Sequence, residues 1–192
     1  MASPMDNQDQ DMDMGGDDII MMPDATDDTA DMMAPSADKP SAAKAVYIAM
    51  ADAFTMYFQT HGSHWNVRGE DFAQFHEFFG DIYEDVFDSV DTLAEIVRKF
   101  GFDSPMNLSD IADATNVPDT DGGAFDPISL SKNLYAINKI TIADLEAAFD
   151  ACNAIDQQGA CNFLAERIDM HQKWQWQLRA TLGLDGNADD EK

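Results

Sequence analysis

Positive charge is what this chain has least of. Lys and Arg number 11 against 37 Asp and Glu in 192 residues, for a net charge of −26. A protein that grips nucleic acid through its phosphates needs clustered Lys and Arg, so composition argues strongly against direct DNA binding. Long apolar runs are missing too: none approaches the roughly 20 residues that span a bilayer. The N-terminus is acidic where a secretory signal would be basic. These absences imply a soluble, cytoplasmic protein with no membrane partner. Cysteine is scarce, and Cys152 and Cys161 fit a reducing compartment as small buried apolar residues, with a disulfide as the alternative. The acidity itself has two readings, attraction of cations or adaptation to a very salty cytoplasm.

Residues 1–38 hold eleven of the aspartates, no Lys or Arg, and many Met but no aromatic residue. Like-charge repulsion without aromatic anchors predicts a disordered acidic tail. Met21-Met22 and Met32-Met33 could serve as soft copper ligands or a docking patch, but nothing in the run has fixed ligand spacing. The body spans 39–184, and the polar end 185–192 reads as a second disordered tail.

Within the body the pattern is helical. Ser41 opens a first helix that carries apolar residues at helical spacing to about Asn66. A second runs from about Asp71 to Phe100, with Phe75, Phe79, Ile82, Val86, Val90, Leu93 and Val97 on one stripe, and stops at Gly101. Residues 102–128, with three prolines and Gly122-Gly123, form a long connection in which Leu108–Ala112 predicts a short helix. A third long helix starts at Ser129 and a fourth covers roughly 160–182. Four helices with one long crossover between the second and third is a ferritin-like all-α connectivity.

Chemistry concentrates between His64 and Glu95. Asp91 and Glu95 stand i, i+4 and so project from one helix face about a turn apart. With His64 and His76 they make a borderline-plus-hard ligand set that suits ferrous iron. The two histidines flank the break Arg68-Gly69-Glu70-Asp71, so they meet only if two helices pack side by side. Glu77, Asp81, Glu84, Asp88, Asp91 and Glu95 follow at steps of three and four. Such a row of like charges costs a helix roughly 0.2–0.5 kcal/mol per pair. A cation-collecting surface explains the alignment, as does a solvated acidic face.

His64-Trp65-Asn66, His76-Glu77 and Asp91-Thr92-Leu93-Ala94-Glu95 resemble the signature of the miniferritins, the family of Dps (DNA-binding protein from starved cells), and a weaker echo runs through His171–Trp176 and Leu178-Arg179-Ala180. The resemblance implies a ferritin-like four-helix bundle with a short helix in the crossover, assembled as a hollow homo-oligomer of twelve. It implies sites shared across a two-fold interface, two irons each, with histidines from one subunit and the Asp/Glu pair from its neighbour. Iron homeostasis is the implied function: Fe(II) oxidation by hydrogen peroxide or dioxygen, iron storage inside, and protection against oxidative stress. Trp65, beside His64, is a candidate electron donor with interface packing as its alternative, and Asp119, Asp121 and Asp126 are candidates for a pore lining, with ordinary turn chemistry as theirs. His61 reads as an exposed helix-end histidine or an auxiliary ligand, and His171 as packing or surface.

Three departures stand against the pattern. The DNA-binding extension of some family members is basic, whereas this N-terminus is acidic. Gly80 occupies the position, four after His76, where the family commonly has another acidic residue. The chain also contains no Glu-x-x-His, the motif from which other ferritin-like enzymes build a di-iron site within one bundle. A structural or cargo-like shell with weak or no ferroxidase activity is the alternative that Gly80 keeps open.

Overall fold

In the computed structural model the described residues, 38–120 and 123–184, form five helices and no strand. The acidic segment 1–37, including both Met pairs, lies outside the described residues, as do Asp121, Gly122 and the end 185–192. The helices are α1 (Lys39–Asn66), α2 (Phe72–Lys99), α3 (Leu108–Ala114), α4 (Pro127–Asn153) and α5 (Gln158–Thr181). The short helix of the crossover is α3, and α1, α2, α4 and α5 make the four-helix bundle.

Helix starts differ from the sequence reading by two residues, for a physical reason. Asp38 accepts a hydrogen bond from Ser41 N–H at 3.0 Å, and Asp126 accepts from Ser129 N–H at 2.9 Å. Each carboxylate caps a first turn that contains a proline, where the missing N–H costs nothing. The serines therefore lie inside their helices. Gly69, with φ 110°, turns the chain from α1 into α2, and Gly101, with φ 95°, ends α2.

α1 is the central helix, packed on α2, α3 and α4, while α4 and α5 form the other hairpin. Its small residues Ala42, Ala43, Ala49, Ala51 and Ala53 are all buried, which lets three neighbours approach it closely. Phe79, Ile82, Val86, Leu93 and Val97 of α2 enter the same core as Leu134, Leu145, Leu164 and Leu178. Each such side chain contributes about 1.5–3 kcal/mol through burial. Cys152 and Cys161 are buried free thiols. Burial, and then the neighbouring Cys161, push the Cys152 thiol up to about 11, so it stays protonated and unreactive at neutral pH.

Two polar layers cross this core. Arg167 on α5 donates to both carboxylate oxygens of Asp85 on α2, at 3.1 and 2.8 Å, and Trp174 Nε1–H donates to Asp85 Oδ2 at 2.7 Å. Further along, His171 Nδ1 and Asn138 Oδ1 are 2.7 Å apart, and Asn138 Nδ2 donates to the His171 carbonyl and to Gln175 Oε1. His171 is thus packing, as one of its two sequence readings held.

Candidate metal site

His64 near the end of α1 and His76 near the start of α2 face each other across the turn at Gly69. Their rings stack with centroids 3.6 Å apart and an interplanar angle of 21°. His64 Nδ1–H donates to the His76 carbonyl at 2.6 Å, and His76 Nδ1–H donates to the His64 carbonyl at 2.8 Å. A carbonyl can only accept, so both Nδ1 atoms carry a hydrogen, and in the neutral ring the lone pair then lies on Nε2. Anchoring Nδ1 on a backbone carbonyl is how metal-binding histidines are held in one tautomer and orientation. A Cβ at Gly80 would stand 3.6 Å from the His64 ring, so this glycine lies directly against the pair.

Aromatic rings surround the histidines. Tyr83 meets His64 edge-on at 5.2 Å, and His61 lies between Tyr83, on which it stacks, and Trp65, against which it tilts by 41°, with both centroids at 4.0 Å. His61 is therefore half-buried within rings; the helix-end exposure expected of it is corrected by Tyr83, which arrives from α2. Its Nδ1 is enclosed without a partner, and burial, then the nearby His64, hold the imidazole below its usual range. Tyr57 and Phe87 extend the cluster, with centroids 4.7 Å apart, and Phe72 stacks on His76 at 5.1 Å. Trp65 is 59% exposed, and Phe72 and Phe87 are exposed too. Tyr83 is the functional candidate the sequence reading missed. It stands seven residues after His76, two turns along the same helix face, so helical periodicity could have found it.

Asp91 and Glu95 are exposed on α2, with Lys99 Nζ 3.7 Å from Glu95 Oε2. They do not join the histidines within one chain. Asp91 comes fifteen residues after His76 on the same helix, about 22 Å at 1.5 Å per residue. Among the described residues no three His, Cys, Asp or Glu side chains converge as a metal site. Glu77, Asp81, Glu84 and Asp88 are likewise exposed along α2. Asp119 lines a groove with Phe58, Gln59, Asn66 and Asn133, Asp126 is occupied as the α4 cap, and Asp121 lies outside the described residues. Trp174 is buried and Trp176, two residues on and on another face of α5, is 55% exposed.

A bundle of this topology, with paired histidines at one end of α2 and paired carboxylates near the other, defines a class. The ferritin family, described as a ferritin-like domain, matches residues 43–186. The "DNA protection during starvation protein" of Helicobacter pylori is 29% identical over 136 residues, covering 69% of this chain and 92% of that protein. Among solved structures, the Dps protein of Vibrio cholerae, described as a member of the ferritin-like diiron-carboxylate superfamily, superposes with a TM-score of 0.71 at 23% identity. It covers 75% of this chain and 90% of its own. Dps from Thermosynechococcus elongatus gives 0.72 at 19% identity, covering 80% and 96%. The chain belongs to the ferritin-like domain family and, within it, is a Dps-like miniferritin. That membership points to iron binding and oxidative protection.

Proposed function

We propose that this protein is a ferroxidase and iron-storage shell, in which ferrous ions bind between two copies of the chain: His64 and His76 from one, Asp91 and Glu95 from the other. The observation that carries the reading is the reciprocal Nδ1 anchoring of His64 and His76, which leaves their Nε2 atoms free to bind metal, with no converging acid among the described residues of their own chain. The exposed rings of Phe72, Trp65 and Phe87 lie around the pair, an apolar patch of the kind that a second protein surface covers. Two copies related by a two-fold axis bury the same patch on each, and the carboxylates of one then supply what the histidines of the other lack.

Two ferrous ions held together each give one electron to one peroxide. The O–O bond breaks and two protons complete two waters, so no one-electron step releases hydroxyl radical. Dioxygen is the alternative oxidant. Trp65, one ring away from the pair through His61, supplies an electron when a second ferrous ion is absent. The carboxylate row of α2 collects the cations, and Asp119, Asp121 and Asp126 serve their entry through the acidic field of the shell. Ferric product is stored inside, in an assembly of twelve, and the reaction belongs in the cytoplasm.

The test is ferric absorbance after mixing with ferrous salt and peroxide. His64→Ala and Asp91→Ala should each slow the first turnover by roughly tenfold or more while sedimentation stays as in the parent; parental rates in both sink the site. Gly80, which brings no carboxylate to His64, favours a second reading, a shell without efficient oxidation. That reading wins if the parent oxidises iron no faster than buffer.

A further inference from the structure

Asp52 has no accessible surface, an unusual place for an aspartate in an alanine-rich helix. Its Oδ1 accepts two hydrogen bonds from the crossover, from the Thr115 hydroxyl at 2.7 Å and from Asn116 N–H at 2.7 Å. Its Oδ2 is enclosed, and no N–H or O–H of the described residues donates to it. The Asp144 side chain on α4 lies within hydrogen-bonding reach of the Asp52 carboxyl group, and Asn116 bonds both. Asp144 Oδ2 in turn accepts from Asn116 Nδ2 at 2.9 Å. Two carboxylate oxygens in contact inside a protein repel unless a proton lies between them.

We propose that Asp52 and Asp144 share one proton and act as a proton-operated clasp, which holds the crossover segment 115–118 on α1 and α4 and lets it loosen when the proton leaves. The segment has few other ties: Val117 is buried behind the clasp, and the Pro118 carbonyl accepts from Gln59 Nε2 at 2.8 Å. Asp119, the first residue beyond it, lines the groove beside α1. The clasp owes nothing to iron, and its test stands apart from the ferroxidase reading.

Burial, and after it the contact with Asp144, push the Asp52 carboxyl up to about 7 against the Thr115 and Asn116 hydrogen bonds, which favour the charged form. Among the described residues Asp144 is the one charged group that acts on it. The crossover presents the neutral Thr115 and Asn116, and Ile48, Ala49, Thr55 and Met56, its neighbours on α1, carry no charge. The folded state therefore holds a proton that the unfolded chain releases near the ordinary aspartate value of about 3.9, so the clasp is tightest below that value, weakens as pH rises toward about 7 and changes no further above it.

The experiment is hydrogen exchange of the Asn116 and Val117 amides in the full, metal-free chain from pH 4 to 9, corrected for intrinsic exchange. Protection in the parent should fall by up to roughly tenfold per pH unit between about pH 4 and 7 and level off above that. In Asp144→Asn the side-chain amide donates permanently to Asp52 Oδ2, and protection should no longer depend on pH. Asp52→Asn, which donates from the opposite side, should behave alike and serves if the first variant does not fold. Flat protection in the parent, or an undiminished fall in a folded variant, overturns the clasp. So does recovery of protection at pH 9 on adding calcium alone, since a cation would then be the bridge.

Discussion

At the scale of single residues, Gly80 separates what helps the fold from what helps the site. Glycine inside a helix costs about 1 kcal/mol relative to alanine, and the Cβ it lacks would meet the His64 ring at an ordinary 3.6 Å. Gly80→Ala should therefore raise stability by about 0.5–1 kcal/mol in denaturant unfolding. Gly80→Asp adds a carboxylate beside the histidines and should tighten anaerobic ferrous binding in calorimetry. If the histidine pair is mere packing, that variant will bind iron no better than the alanine one. His64 and His76 could be read directly from the sequence because their neighbours, Trp65-Asn66 and Glu77, travel with them in one short motif. Tyr83, the stacking of His61 and the burial of Asp52 could not, because each depends on a side chain brought in from another helix. For Asp52 the partners stand 63 and 64 residues away.

At the scale of elements, α2 and α5 touch little along their backbones but are joined by Asp85, Arg167 and Trp174. Burial alone would raise the Asp85 carboxyl, yet the hydrogen bonds from Arg167 and Trp174 and the guanidinium charge outweigh it and hold the group below its usual range. Its stabilising contribution is complete above the unfolded value of about 3.9 and is lost only as pH falls through the lower folded value. His171 behaves differently: burial first, then Arg167, drive its imidazole down to about 3 despite Asp85 nearby. The folded state keeps this ring neutral, so stability declines as pH drops from about 6.5 toward 3. Asp85→Asn should cost about 3 kcal/mol at pH 7, and relative to parent His171→Gln should flatten the pH profile of the denaturation midpoint between 6.5 and 4. An unchanged profile in His171→Gln would remove the histidine from the account of acid sensitivity. The four long helices and the crossover were legible as patterns of apolar spacing and turn residues. The ionic layer was not, because Asp85 sits between Glu84 and Asp88 in a run that reads as one solvated acidic face, and its burial follows only from Arg167, 82 residues on.

At the scale of the whole molecule, the decisive matter is whether chemistry needs two copies. The histidines and carboxylates of one chain stand about 22 Å apart along α2, too far to hold one pair of metal ions, and the exposed rings near the histidines offer a face for a neighbour. In a two-fold pair each interface carries two equivalent sites, each drawing histidines from one chain and carboxylates from the other. Consider then a variant lacking both histidines, His64→Ala with His76→Ala, and another lacking both carboxylates, Asp91→Ala with Glu95→Ala. Each alone has no intact site and should oxidise iron at the background rate. In a mixed pair, one site inherits both defects and the other inherits neither. Co-expression in equal amounts makes half of the pairs mixed, so about a quarter of all sites should be whole, and about a quarter of the parental initial rate should return in stopped-flow absorbance. Sites contained within single chains would recover nothing on mixing, and a co-expressed sample as inactive as either variant, with normal assembly in sedimentation, would refute the shared site.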